Sequence, residues 1–296
     1  MGRDLLVTGA SGKLGQRVIE HLLSSNKVAP GQIAAATRQP EKLAALAAKG
    51  VEVRRLDFED PKSLSAAFTG IKRLLVISTD AIDRPGRRLA QHQAAVSAAR
   101  TAAVKHIVYT SMPKPEESLV LFAPDHRGTE QAIAESGLSF TILRMNWYMD
   151  NLLASLGPAL ASGKWYTSTA GGRVGYVARE DCARAAAAAL GASSTGTDRL
   201  DVTGPASVSV DDIAAQVRAV TGKALAVVQL GEEEYRQHLT AGKLPPPIVA
   251  LLMSIEASIR TGKLDVVANT VQRLTGTAPQ GLKEFLTQHK SALVAA

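Results

Sequence analysis

Leu5-Leu6-Val7-Thr8-Gly9-Ala10-Ser11-Gly12-Lys13-Leu14-Gly15 is the stretch that decides the fold: an apolar run, a glycine-spaced turn and the start of an amphipathic segment. From Leu14 the apolar side chains recur at Val18 and Leu22, with Ile19 and Leu23 widening the stripe, which is the period of a helix buried along one face. Strand, glycine turn and helix in that order form the arrangement a dinucleotide diphosphate needs. Gly9 permits the tight turn, Gly12 lets the backbone approach phosphates and Gly15 lets the helix pack on the strand, while unpaired N–H groups at the helix start face the anion. The spacing is G-x-x-G-x-x-G, not the G-x-G-x-x-G of the ordinary dehydrogenase fingerprint. Gly9, Ser11, Gly12, Lys13, Leu14 and Gly15 are the first candidate cofactor-binding residues.

Working outward, short β-rich runs occupy Leu5 to Thr8, Ile33 to Thr37, Val51 to Arg55, Leu74 to Ser78, Ile107 to Ser111 and Phe140 to Leu143. Helical patterns lie between them. Pro40 opens one that Leu43, Leu46 and Ala47 continue and Gly50 stops; Pro61 opens another that carries Leu64, Ala67 and Phe68 to Gly70. This alternation predicts an α/β fold with a Rossmann-like, doubly wound parallel sheet. After about Arg144 glycine and proline punctuate shorter elements, and from Val208 the chain reads as mainly helical. The expected division is a nucleotide-binding core over 1–150 and a smaller, mainly helical C-terminal substrate lobe over 151–296. Parts near 179–203 are expected to return to the core, Arg179 to Leu190 as an alanine-rich helix and Leu200 to Thr203 as one more strand.

The chain has 296 residues, 46% hydrophobic and 21% charged, a globular composition that excludes disordered and fibrous classes. No apolar run reaches membrane-spanning length and the first strand leaves no room for a signal peptide, so a cytoplasmic setting is expected. Cys182 is the only cysteine, which excludes an intramolecular disulfide and a cysteine zinc cluster; it reads as a small core residue, and no metal is expected. The formal charge of +7 suits an anionic partner. Lys and Arg are scattered, however, and the densest group, Arg84, Arg87 and Arg88, has no nucleic-acid module around it, so it reads as a solvated helix face and nucleic acid is not an expected partner.

The tip of the second strand chooses the cofactor. NAD-preferring folds place an acid there to bond the ribose hydroxyl, whereas Ile33-Ala34-Ala35-Ala36-Thr37 ends in Arg38, whose guanidinium matches a 2′-phosphate. NADP(H) is the expected cofactor, with Lys13 as a second cation. Asp57, after the third strand, has two readings: acceptor for the adenine amino group, or cap of the next helix. Ser78 and Thr79 close the fourth strand on the edge where ligands sit in open α/β sheets.

Four segments carry a family resemblance: the glycine turn, Thr37-Arg38-Gln39-Pro40-Glu41-Lys42, Val104-Lys105-His106-Ile107-Val108-Tyr109-Thr110-Ser111, and Leu143-Arg144-Met145-Asn146-Trp147-Tyr148-Met149-Asp150-Asn151. With them the chain resembles, nearly end to end, the NmrA-like branch of atypical short-chain dehydrogenase/reductases, which includes bacterial type 2 NADPH:quinone oxidoreductases and triphenylmethane reductases. Members often have proline after the arginine, where this chain has Met145. The Tyr-x-x-x-Lys pair of typical short-chain dehydrogenases is missing, and His126-Arg127-Gly128-Thr129-Glu130 has a spacing shared with the quinone and dye reductases. Ser111 takes the place of the common active-site serine and, without its tyrosine, is expected only to line the site.

A tentative substrate pocket comprises His126, Asn146, Trp147 and Tyr148, with Phe122, Met145, Trp165 and Tyr166 as further candidates; no catalytic side chain is assigned. Flat rings stack on flat acceptors, and Asn146 is a candidate for orienting a carbonyl. The resemblance implies an NADPH-dependent oxidoreductase that transfers hydride to a quinone or similar conjugated small molecule, without metal or flavin. The alternative is an NADP(H)-binding redox sensor that regulates a partner without turnover. Homo-oligomerisation is left open.

Overall fold

A computed structural model describes residues 4–25, 27–193 and 195–295. β1 (Leu5–Val7), α1 (Lys13–Ser24), β2 (Ile33–Thr37), α2 (Ala44–Ala47), β3 (Glu52–Arg55), α3 (Pro61–Phe68), β4 (Arg73–Val76), α4 (Arg87–Thr101), β5 (His106–Ser111), α5 (Ala123–Glu135) and β6 (Ser139–Met145) alternate as the sequence implies. There follow α6 (Leu152–Ser162), β7 (Lys164–Thr167), β8 (Arg173–Val174), α7 (Arg179–Gly191), β9 (Thr197–Val202), β10 (Val208–Ser209), α8 (Val210–Thr221) and β11 (Ala226–Gln229). The remaining elements are helices: α9 (Glu232–Ala241), α10 (Pro246–Arg260), α11 (Thr270–Thr275), α12 (Leu282–Gln288) and α13 (Lys290–Ala295).

One sheet takes the order β3-β2-β1-β4-β5-β6-β9. β1 is parallel to both neighbours, Leu6 lying opposite Ala34 and Leu74. β6 and β9 also advance together, Phe140 N–H bonding Gly196 O at 3.1 Å and Asn146 N–H bonding Val202 O at 2.9 Å. The Rossmann-like parallel sheet expected from the alternation is therefore present. Ala34, Ala35 and Ala36 have no exposed surface, as a strand covered on both faces requires. The order reverses between β1 and β4, which opens a crevice beyond their carboxyl ends, where the glycine turn and the Ser78-Thr79 segment emerge.

Two local expectations are corrected. The pattern from Pro40 to Gly50 folds as a 3-10 turn over Pro40–Leu43 and a single α turn, because its buried side chains, Leu43 and Leu46, are three apart and a three-residue period serves them. β9 starts at Thr197, earlier than Leu200, because its first residues, Thr197, Asp198 and Arg199, are exposed on the sheet's edge and carry no hydrophobic signal.

The chain divides into two compact units. One comprises Met1–Met112, Pro124–Arg144 and Cys182–Leu200, and the other Pro113–Ala123, Met145–Asp181 and Asp201–Ala296. The first is built on a cluster that includes Leu6, Phe68, Leu74, Ile107, Tyr109 and Ile142; Cys182 is buried, as a core residue. The second is mainly helical, with β7 parallel to β11 and β8 antiparallel to β10. α10 starts at Pro246-Pro247, where a missing N–H leaves no helical bond unmade. Among the described residues no helix is long and apolar enough to cross a membrane.

Candidate functional site

The glycine turn is stitched to both flanking strands. Ala10 N–H bonds Ala36 O and Thr8 N–H bonds Leu75 O, each at 3.0 Å, while Thr8 Oγ1 accepts Ile77 N–H at 2.9 Å. Gly9 lies at φ +59°, in the left-handed region. A Cβ at Gly15 would stand 2.4 Å from Gly9 O and 2.9 Å from Ala10 Cα, so α1 packs on the turn only with glycine there. Gly12 differs. Its φ is −78° and a Cβ would meet Gly9 O at 3.2 Å, so its bare Cα serves whatever approaches from outside. The α1 ladder begins at Gln16 N–H to Gly12 O, 3.0 Å, so Lys13, Leu14 and Gly15 precede it; no side chain caps the helix and its first turn carries no acid.

Within the first unit, a cleft of about 520 Å³ is lined by Gly9, Ser11, Gly12, Arg38, Asp57, Ser78 and Thr79 among others. Lys13, Leu14 and Gly15 form the first turn of α1. Ser11 Oγ and Thr37 Oγ1 are 2.8 Å apart, tying the turn to the tip of β2. Arg38 is exposed and, among the described residues, has no ion-pair partner. Asp57 is half-buried, and its Oδ1 accepts Glu59 N–H at 3.0 Å. The capping role belongs to Asp60, which accepts from Lys62 N–H and Ser63 N–H at 3.0 and 3.3 Å. These parts fit a phosphorylated dinucleotide: free helix-start N–H groups, a bare approach at Gly12, an unpaired guanidinium and an acceptor.

Sequence reading missed Glu59, Asp83, Arg87 and Gln91, which also line the cleft. Arg87 Nη2 donates to Glu59 Oε2 and its Nη1 to Asp83 Oδ1, each at 3.0 Å, while Gln91 Nε2 donates to Glu59 Oε1 at 3.1 Å. The Arg87 hydrogen bonds hold the Glu59 carboxyl down to about 2. The solvated face expected of Arg84, Arg87 and Arg88 holds for Arg84, which is exposed, and is corrected for the other two, Arg87 being paired with Glu59 and Asp83. Arg88 is 7% exposed because it starts the buried α4 stripe of Arg88, Gln91, His92, Ala95, Val96 and Ala99. The signal was there, two turns upstream of Ala95.

His92 supports the cleft from below. Its Nε2 accepts Thr79 N–H at 3.0 Å, which places the ring hydrogen on Nδ1, 2.9 Å from Thr129 Oγ1; that hydroxyl donates to Asp125 O at 2.7 Å. Tyr109 Oη is hydrogen-bonded to His126 Nδ1 at 2.8 Å, so His126 lies inside a buried polar chain at 3% exposure. Burial holds His92 down to about 3, pushes His126 well below its ordinary value and pushes Tyr109 up. Nearby, Ser111 Oγ donates to Glu130 Oε1 at 2.6 Å, and Arg144 grips the same carboxylate with Nε at 3.0 Å and Nη2 at 2.7 Å.

In the second unit, Asn146 is buried. Its Oδ1 accepts Trp147 N–H at 2.8 Å and its Nδ2 donates to Leu264 O and Val266 O at 3.0 and 3.4 Å, which leaves neither amide hydrogen to orient an acceptor carbonyl. Tyr148 carries the Arg179 guanidinium over its ring at 5.4 Å, and Arg179 is held by Asp150. Trp147 is half-exposed, its ring parallel to that of Phe122 within 8°. Among the described residues no three His, Cys, Asp or Glu side chains gather as a metal site.

Comparison with known proteins agrees with this geometry. The NAD(P)H-binding family matches residues 9–193. Quinone oxidoreductase 2 of Escherichia coli (strain K12) is 32% identical over 283 residues, covering 96% of this chain and 97% of that protein. The crystal structure of an NADPH-dependent quinone oxidoreductase from Escherichia coli complexed with NADPH superposes with a TM-score of 0.91 at 32% identity, over 96% of this chain and 99% of that one. Citrobacter sp. triphenylmethane reductase complexed with NADP(H) gives 0.89 at 34% identity, over 96% and 99%. With its glycine turn, its cleft at the reversal of strand order and a family match across most of the first unit, the chain belongs to the NAD(P)H-binding family, with an NmrA-like fold.

Proposed function

We propose that this chain is an NADPH-dependent reductase that passes hydride to a quinone or a similar conjugated acceptor. The observation that carries the reading is the meeting, in one cleft, of the glycine turn at the start of α1 with the unpaired Arg38 guanidinium. Helix-start N–H groups hold the diphosphate, Arg38 pairs with the 2′-phosphate and Asp57 accepts from the adenine amino group. Bound NADPH supplies the hydride from its nicotinamide ring.

The acceptor class follows from where the chain's protons are. Ser111 gives its only hydroxyl hydrogen to Glu130, and Tyr109 is a fully buried phenol bonded to His126. Neither is a spare acid, and the Tyr-x-x-x-Lys pair is missing from the sequence. Hydride addition to an isolated ketone localises charge on an alkoxide that needs a donor, whereas addition to a quinone spreads it over an aromatic ring and water can supply the proton. The quinone and dye reductases similar to this chain support the same class. An NADPH supply and a single buried thiol, Cys182, support a cytoplasmic setting without a structural disulfide. Purified protein mixed with NADPH and 1,4-naphthoquinone should bleach the near-ultraviolet nicotinamide absorbance well above the uncatalysed rate; no acceleration with any of several quinones refutes the reading.

A further inference from the structure

The 146–148 segment offers three side chains, and two are already committed. Asn146 uses both amide hydrogens on Leu264 O and Val266 O, and Tyr148 lies under the Arg179 guanidinium. Trp147 is different. Its backbone is fixed on both sides, N–H to Asn146 Oδ1 at 2.8 Å and O from Val177 N–H at 3.0 Å, yet among the described residues its indole Nε1–H has no hydrogen-bond partner.

Phe122 lies parallel to Trp147 within 8°, ring centroids 6.5 Å apart. That separation exceeds the ~3.5–4 Å of carbon atoms in face-to-face contact, so the rings are not stacked one directly on the other. Each is anchored by its own network. The segment before Phe122 is tied to α10 and the turn after it, Leu119 N–H bonding Ser258 Oγ at 2.8 Å, Leu121 N–H bonding Ser254 Oγ at 3.2 Å, and Glu117 pairing with Lys263 at 2.8 Å. Leu119 and Leu121 remain 51% and 59% exposed, which makes this edge apolar. Two parallel rings held by separate tethers, with one unpartnered N–H at the edge, match a flat conjugated molecule that carries an oxygen at its rim.

We propose that Trp147, with Phe122 parallel to it, is the platform on which a planar carbonyl-bearing acceptor lies, the indole Nε1–H donating to an acceptor oxygen. The proposal rests on the reductase reading and adds the residues that select the acceptor. Asn146 is then a positioning residue, acting through the Trp147 backbone. As negative charge grows on the acceptor oxygen, the indole hydrogen bond strengthens and lowers the barrier as well as the Michaelis constant.

The chain has two tryptophans, so Trp165→Phe leaves Trp147 as the single indole emitter. Titration of that variant, saturated with NADP⁺, with 1,4-naphthoquinone should give saturable quenching, and adding Phe122→Leu should raise the half-saturation concentration about threefold to tenfold. In the otherwise native chain, Trp147→Phe keeps a flat face and removes the donor, so kcat/KM for the quinone should fall about fivefold. Trp147→Leu should lower it about tenfold more, with the Kd for NADPH within about twofold of native in both variants. Quenching that rises linearly without saturation, or an unchanged kcat/KM in Trp147→Phe and Trp147→Leu, overturns the proposal. Saturable quenching without NADPH consumption refutes the reductase reading and leaves the platform standing; consumption indifferent to both substitutions does the reverse.

Discussion

Gly15→Ala and Gly12→Ala separate what the turn needs in order to fold from what it needs in order to bind. At Gly15 the new Cβ would lie 2.4 Å from Gly9 O and 2.9 Å from Ala10 Cα, both backbone atoms with no flexible end to swing away. Ordinary contact requires α1 to retreat by about 1 Å, an overpacking cost of about 1–3 kcal/mol, against which alanine's better helix propensity returns at most about 1 kcal/mol. The net loss of about 1–2 kcal/mol corresponds to a Tm lowered by roughly 2–8 °C. The same retreat carries the Lys13, Leu14 and Gly15 N–H groups off their target. Each hydrogen bond to a charged group is worth about 1.5–3 kcal/mol, so NADPH affinity should fall at least about thirtyfold. At Gly12 the backbone is in an ordinary region and the nearest contact is 3.2 Å, a misfit of a few tenths of an ångström, so the Tm should stay within about 2 °C of native. Its methyl group nevertheless stands where the diphosphate approaches, and NADPH affinity should fall about tenfold or more. Thermal unfolding of the ligand-free variants and calorimetric titration with NADPH read the two effects independently. Native-like NADPH binding by Gly12→Ala, or a Tm loss there as large as in Gly15→Ala, refutes the reasoning.

Arg38→Asp exchanges attraction for repulsion at the 2′-phosphate, so Kd should rise on the order of a hundredfold for NADPH and less than about threefold for NADH; equal losses mean that Arg38 holds structure instead. His92→Gln brings an amide oxygen to the position of Nε2 and should keep NADPH binding within about threefold, whereas His92→Asn reaches only the Nδ1 position, leaves Thr79 N–H without its acceptor and should lose about tenfold. Equal binding by the two variants removes His92 from the support of the cleft. Burial depresses His92 to about 3, His106 to about 4 and His126 well below 6.5, so all three stay neutral when folded and take up protons on unfolding. Their contribution is complete above about pH 6.5 and is lost as pH falls toward about 4; near pH 5, His106→Gln should reduce the proton uptake on unfolding by close to one, and no change contradicts the assignment.

The fold was legible because its signals are local. A glycine pattern, the proline-started helix α3 and alanine-rich β2 each state their own conformation, and the parallel sheet follows from their alternation. What escaped was long-range. Glu59, Arg87 and Gln91 are 28 to 32 residues apart where they bond, and nothing at Glu59 itself shows that α4 will lie across it. The same holds for Asn146, whose amide closes on carbonyls 118 and 120 residues away. His126 and Glu130 are one turn apart on α5, yet each is bound to a different strand residue, Tyr109 and Ser111, because β5 offers a phenol and a hydroxyl two residues apart on one face. A period says which face is buried; it does not say which polar groups that burial brings together.

Charge shows the same difference between a sum and an arrangement. The cleft's lining includes Asp57, Glu59, Asp80 and Asp83 against Arg38 and Arg87, and the sum alone argues for repelling a phosphorylated ligand. Pairing reverses that conclusion. Arg87 is bound by Glu59 and Asp83, so those two acids are compensated within the fold, and Arg87 would have to leave both before it could meet a phosphate. Arg38, exposed and without an ion-pair partner among the described residues, breaks nothing when an anion arrives and gives up only water. A guanidinium already paired contributes the difference between two partners, whereas an unpaired one contributes its whole interaction. On that ground we propose that the 2′-phosphate is selected at the tip of β2 and not by α4, although α4 carries the denser cluster of cations.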